Sequence, residues 1–316
     1  MRESAPLEAL HDQSQKILSR LRRIVVAATF SGVLIATVPG HAEDASSPSS
    51  GNPAGETTDQ GLFSRWLKMV SRTQAEQPTW ITPLATNNSI LTQSLHYDVL
   101  SQRLPNGSFL NSYGGGKGLE FIPLPNIEII LAVPPWEQHT GPTSTLTTGL
   151  GDWSALMKYR FWSANEEKGN YAVTGFLQYV AATGTPGFTA GTDVLHPGLL
   201  LGKGWGPFDV QLEVGAEFPL SGNQAAQNFG KPIVANMVGQ YQIWKYVWPE
   251  FELNFTWWPD GLRQGRSQLF LTPGIVFGPF PLKDRCKLAV GGGYQFAVTP
   301  DPVFNGGLIF SVRLYY

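Results

Sequence analysis

Residues 208–218 read Phe208-Asp209-Val210-Gln211-Leu212-Glu213-Val214-Gly215-Ala216-Glu217-Phe218. Every second residue from Phe208 to Phe218 is apolar, and the residues between carry three carboxylates, a glutamine and a glycine. A strand sends successive side chains to opposite faces, so this run has one apolar face and one charged face. A soluble sheet with one buried face alternates in the same way, so one strand does not decide the fold.

The pattern recurs along the chain. Phe251, Leu253, Phe255 and Trp257 alternate with Glu252, Asn254 and Thr256. Leu308, Phe310, Val312, Leu314 and Tyr316 alternate with Ser311, Arg313 and uncharged residues. Leu288, Val290, Tyr294 and Phe296 form another apolar face, as do Leu269, Leu271, Ile275 and Phe277. Ala155, Met157, Tyr159 and Phe161 oppose Ser154, Lys158 and Arg160, and Ile127, Ile129, Leu131 and Val133 oppose Glu128 but also Ile130, a less clean alternation. Each run is roughly ten residues, the length that a tilted strand needs to cross a bilayer.

The connections sort into two classes. Short turns are expected at Pro125-Asn126, Trp205-Gly206-Pro207, Val247-Trp248-Pro249 and Gly278 to Pro281, with a slightly longer one from Ala164 to Gly169. Between them fall longer loops: Pro105 to Gly115, Pro135 to Thr147, Gly184 to Thr192, Ser221 to Gly230, Pro259 to Gly265 and Thr299 to Phe304. Outer-membrane barrels alternate short periplasmic turns with longer outer loops. Aromatics collect near both ends of the runs, with Trp205, Trp244, Trp248, Phe280 and Tyr316 on the short-turn side and Trp136, Trp257, Trp258 and Phe296 on the long-loop side. Two aromatic girdles belong at the lipid headgroups. The reading is an all-β protein, an antiparallel up-and-down transmembrane β-barrel of about twelve strands.

The chain has 316 residues, of which the barrel takes 92–316. Lys16, Arg20, Arg22 and Arg23 precede an apolar run from Ile24 to Val38, and Gly40-His41-Ala42 offers a small-residue cleavage site. Residues 1–42 therefore read as a secretory signal peptide, and the run is shorter than the about twenty residues of a spanning helix. An uncleaved anchor is the rival reading. Residues 43–91 read as a flexible leader, rich in Ser, Pro, Gly and Thr from Ala45 to Asp59. Within it Leu62, Phe63, Trp66, Leu67 and Val70 recur at helical spacing, which fits either a short amphipathic helix lying on the membrane or plugging the barrel mouth, or a disordered leader with a few apolar residues.

Charged residues are only 15% of the chain, with 35 glycines and 10 tryptophans. A net charge of −2 argues against a nucleic-acid partner. Cys286 is the only cysteine, which excludes an internal disulfide framework or a cysteine-based zinc site, and no cofactor or metal is expected. Gly114-Gly115-Gly116-Lys117-Gly118 lacks the Ser or Thr and the strand–loop–helix context of a phosphate loop and reads as an outer loop. Ser94, His96 and Asp98 share one strand face, but three residues in a row on one strand do not readily converge on one nucleophile.

The candidate functional residues line the lumen. Glu120, Glu128, Asp152, Asp209, Glu213, Glu217, Glu250 and Glu252 are the acidic ones, and Lys158, Arg160 and Arg313 the basic ones. Their excess of carboxylates predicts that an open pore prefers cations or neutral solutes. About twelve strands lies between barrels filled by side chains and wide aqueous porins, which predicts a narrow or partly blocked lumen.

Three further features point to a family. Gly149-Leu150-Gly151-Asp152 leads into a strand continuing Lys158-Tyr159-Arg160-Phe161, Phe218-Pro219-Leu220-Ser221-Gly222 closes another, and Thr272-Pro273-Gly274 lies inside a third, before an aromatic C-terminus. Together they resemble the outer-membrane transporters named for the meta pathway of phenol degradation, over Thr92 to Tyr316. The resemblance implies uptake or efflux of small, often aromatic or hydrophobic compounds. The expected partners are outer-membrane lipid, small-molecule solutes and the barrel-assembly machinery, which would engage the C-terminal strand. A structural or adhesion barrel with a plugged lumen is the alternative, and a membrane-embedded hydrolase a third.

Overall fold

The computed structural model describes residues 61–115, 117–141 and 146–316. The signal-peptide region 1–42 and the first part of the leader lie outside them. Helix α1 (Leu62–Ala75) is followed by an irregular segment, residues 76–93, and then by the barrel. Its strands are β1 (Ser94–Arg103), β2 (Phe109–Tyr113 and Gly118–Leu124), β3 (Ile127–Ala132 and Trp136–Thr140) and β4 (Leu146–Leu150 and Trp153–Ala164). They continue with β5 (Tyr171–Ala181), β6 (Val194–Trp205) and β7 (Phe208–Ala216), with Phe218–Pro219 extending β7 along β6. A short helix α2 (Gln224–Phe229) precedes β8 (Ile233–Tyr241), β9 (Val247–Trp257), β10 (Ser267–Pro281), β11 (Lys287–Ala297) and β12 (Gly306–Tyr315).

Every strand pairs antiparallel with its neighbour in sequence, and β12 pairs with β1 from Ser94↔Tyr315 to Arg103↔Gly306. The sheet is thus a closed barrel of twelve strands with no free edge at the seam. No helix among the described residues is long and apolar enough to cross a membrane; this chain crosses with strands.

Burial is inverted relative to a soluble protein. In β7 Asp209, Gln211 and Glu213 are fully buried, whereas Phe208 and Val214 are exposed. In β4 Lys158 and Arg160 are buried, whereas Met157, Tyr159 and Phe161 face outward. The apolar face meets lipid and the charged face meets the lumen, the arrangement that the period-2 runs predict.

Strands β2, β3 and β4 are each broken, at 114–117, at Val133-Pro134-Pro135 and at Gly151-Asp152. The prolines of β3 have no N–H to give a ladder. At the β2 break Gly118 has φ +72° and lies so close to Leu131 that a Cβ would sit 2.3 Å from that residue's carbonyl oxygen. Above the breaks, the outer halves of these strands continue as a paired flap.

Several connections differ from the sequence reading. The expected loop from Pro105 to Gly115 is a tight hairpin, with Leu104 N–H donating to Ser108 O, followed by half of β2. The expected loop from Pro135 to Thr147 holds half of β3 and the start of β4. Beyond the lipid a strand needs no apolar face, so Trp136-Glu137-Gln138-His139-Thr140 carries no alternation to read. The turns placed at Val247-Trp248-Pro249 and Gly278 to Pro281 are strand. The chain turns instead at residues 242–246 and 282–286, and β10 accommodates Pro279 at a register shift between Phe277 and Phe280.

A charged lumen and its strap

The described part of the leader is not a trailing linker. Helix α1 sits at the short-turn mouth, where Trp66 donates to Ile122 O, Arg285 donates to Ser71 Oγ, and Val70 packs with Leu91 and Ile122. Residues 77–93 then run into the lumen and back to β1, forming a strap. Gln77 clamps the two ends of the strap together, donating to Leu91 O and accepting from Leu91 N–H. Two strap residues are seated by missing side chains in the wall. Trp80 lies over Gly202 and Gly204, and Leu84 lies over Gly274, Gly291 and Gly293, where a Cβ would fall within 3 Å of these side chains. Leu84 joins Ile81, Trp248, Val276, Ala289 and Ile309 in a small apolar core inside the barrel.

Ile90 packs with Trp80 and Ala172, and the polar part of the strap holds its place through the wall's charges. On one side stand the carboxylates and amides of β7–β9. Glu250 accepts from Leu84 N–H at 3.0 Å. Glu252 accepts from the N–H groups of Ala85 and Thr86, each at 2.7 Å, and from the Thr86 hydroxyl. Glu213 accepts from Asn87 N–H and its side-chain amide, and Gln211 from Ser89 N–H. On the other side stand cations from β12 round to β4. Arg313 donates to Thr82 O and Pro83 O, and Lys117 to Pro83 O and Thr86 O. Arg160 donates to Thr73 O and Gln77 Oε1, and Lys158 to Asn88 Oδ1. At the root of the strap Glu128 accepts from Thr92 N–H at 2.6 Å and pairs with Lys158, while Glu120 accepts from the hydroxyls of Thr92 and Ser94. Buried charges of this kind persist only where they are paired and hydrogen-bonded, and the strap supplies much of that pairing.

Of the residues singled out in the sequence, Glu120, Glu128, Lys158, Arg160, Glu213, Glu250, Glu252 and Arg313 therefore all meet the strap or α1. Asp209 is buried on the lumen face but bonds only Gln211. Glu217 is half-buried just beyond β7. Asp152 leaves the lumen. At the β4 break its carboxylate accepts from the N–H groups of Gly184 and Ala190, each at 2.8 Å, and ties down the loop between β5 and β6. Within that loop Asp193 is held below the ordinary carboxyl range, first by the N–H of Ala182 and then by the hydroxyl of Tyr179.

The sequence reading did not find Lys117, Gln211 or the strap itself. Lys117 lies in the glycine-rich stretch read as an outer loop, yet it is buried, and the break in β2 turns it inward. The carboxylates also do not form a uniform acidic ring. Asp209, Glu213, Glu250 and Glu252 stand on β7 and β9, whereas Asp98, Glu120 and Glu128 lie among the cations on the opposite arc.

Ser94, His96 and Asp98 make no relay. Ser94 bonds Glu120 and not His96, whose Nε2 meets Asp98 at 2.9 Å and Ser311 at 2.8 Å and whose Nδ1 faces Glu120 Oε1 at 3.6 Å. A relay needs the nucleophile bonded to the imidazole, and Ser94 is not. Ser311 also accepts from Arg313 Nε, and the whole cluster is buried beneath the strap.

No family model matches this chain, and no curated protein matches it in sequence. Solved structures resemble it. An outer-membrane channel from Pseudomonas putida F1 is 15% identical, with a TM-score of 0.50 over 75% of this chain and 100% of that one. The NanC porin is 7% identical, with a TM-score of 0.44 over 70% of this chain and 98% of that one. Closure, inverted burial and this likeness agree on one conclusion: the chain folds as a twelve-stranded β-barrel of the bacterial outer membrane.

Proposed function

We propose that this barrel is a channel for small molecules whose lumen is closed by its own strap. One observation carries the reading. Residues 77–91 pair with no strand; side-chain hydrogen bonds and two apolar anchors hold them. The strap can leave the lumen without breaking a single rung of the barrel ladder. Its departure would expose a polar passage with carboxylates on β7–β9 and cations opposite.

The resemblance to the transporters of the meta pathway supports small aromatic or hydrophobic compounds as solutes. A lumen-facing apolar patch of Ile130, Leu156, Phe176 and Leu200, beside the charged level, offers such a solute a resting place. The crowded seating of Ser311 and His96 supports a protein that is not an enzyme. A plugged structural or adhesion barrel is the second reading, favoured by how fully the strap satisfies the lumen's charges.

Planar-bilayer recording separates the two. A variant lacking Leu62 to Leu91 should conduct steadily, whereas the full barrel should be closed for most of the record. A folded, heat-modifiable deletion variant that does not conduct would reject the channel and leave the plugged barrel.

A further inference from the structure

The strap is held mainly by its backbone. Leu84, Ala85, Thr86 and Asn87 present four consecutive N–H groups, and all four go to carboxylates of Glu250, Glu252 and Glu213. Ser89 N–H goes to Gln211. The carbonyls of Thr82, Pro83, Thr86 and Ser89 go to Arg313, Lys117 and Thr174. Side chains of the strap add contacts from Thr82, Thr86, Asn87, Asn88 and Ser89, but most of the polar recognition is of groups that any peptide carries. Along residues 82–87 the wall is sorted to match: carboxylates on β7 and β9 meet amide hydrogens, and Arg313 and Lys117 opposite meet amide oxygens. A sugar or an aromatic acid has no such row of donors on one side and acceptors on the other.

The geometry points to a peptide-binding site in the lumen, one that the strap occupies in cis and that a short peptide segment from another chain can occupy in trans. This inference rests on the channel reading for the route by which a peptide reaches the site. It adds the chemical class of ligand: a polypeptide of about eight residues with free amide hydrogens, recognised through charge-assisted bonds to its backbone. Pro83 lacks an N–H directly before the row of four, so the site does not require a donor there.

The test uses the variant lacking Leu62 to Leu91, purified in detergent, with fluorescently labelled, end-capped octapeptides read by anisotropy. The first carries the sequence of residues 82–89. The second keeps Leu84 and replaces Ala85 and Thr86 by other small residues. The third is the first with N-methyl groups on the four amides of residues 84–87. The first two should bind within about tenfold of each other, and N-methylation should weaken binding by about thirtyfold or more, the scale of one or more lost charge-assisted bonds. If the deletion fails to fold, the full chain carrying Trp80→Ala and Leu84→Ala loosens the strap without touching the charged wall, and the same peptides are titrated into it. Binding of the first peptide alone, binding insensitive to N-methylation, or no binding to a folded barrel would each overturn the inference. Conductance is recorded separately on the same barrel. A conducting barrel that ignores peptides sinks only the peptide site, whereas a silent barrel that binds them sinks only the channel.

Discussion

Replacing Glu252 by Gln should loosen the strap while leaving the barrel intact. Both oxygens of Glu252 are engaged: one accepts from Ala85 N–H, the other from Thr86 N–H and the Thr86 hydroxyl. Glutamine offers one oxygen and one NH2, so whichever way it turns, a donor faces a donor. At least one of the three charge-assisted bonds is lost outright and the rest are weakened, together about 2–4 kcal/mol of strap docking. At about 1.4 kcal/mol per factor of ten, the undocked population should rise by about 30- to 700-fold. Thermolysin reads this directly, because Leu84 and Ile90 are buried and become cleavable only when the strap swings free. Where opening and closing are fast, the cleavage rate tracks the open population. Open time in planar bilayers should rise in parallel. Heat-modifiability should not change, since no ladder bond involves the Glu252 side chain. Cleavage and open time within twofold of the unmodified protein would refute the argument that these carboxylates hold the strap.

Gly202→Val should also expel the strap. A Cβ there would fall 2.2 Å from Ser89 Oγ and 2.4 Å from the Trp80 ring, so a folded barrel with raised conductance is expected, and a closed one would contradict the seating described for Trp80. Deleting Leu314 to Tyr316 removes the end of β12 that pairs with Ser94 and Leu95, and folded barrel should be lost on heat-modifiability gels; normal folding would show that the seam closes without it. With Cys286 replaced by Ser, cysteines at Gly187, Gln224 and Gly261 should react with an impermeant maleimide on intact cells, whereas one at Gly206 should not, and the reverse pattern would invert the topology.

The barrel was legible in the sequence because lipid on one side and a charged lumen on the other force a strict period of two on each strand. The same pressure exposed the wall residues: a carboxylate or cation alternating with Phe, Val or Tyr, as at Glu213 and Lys158, has nowhere to point but inward. Legibility ended where the lipid ends. The outer halves of β2, β3 and β4 carry no alternation and read as loops, and prolines and glycines at 247–249 and 278–281 mimicked turns inside strands. The strap could not be read at all. Thr82-Pro83-Leu84-Ala85-Thr86-Asn87-Asn88-Ser89 has the composition of a linker, and what fixes it is Glu252, Glu213 and Arg313, more than a hundred residues away along the chain.

That separation bears on the order in which the molecule can assemble. The strap is made before β1, yet its partners lie on β7, β9 and finally β12, 230 residues later at the Pro83–Arg313 contact. It cannot be fully seated until the last strand is present. Arg313, on that strand, reaches from the seam to two strap carbonyls, and Tyr316 just beyond it bonds back to Gln93 at the strap's root. The seam and the strap therefore complete each other. A chain that has not yet joined β12 to β1 leaves the Arg313 guanidinium without its strap partners and the Thr82 carbonyl without its donor, so the filled lumen is also a record that the cylinder has closed.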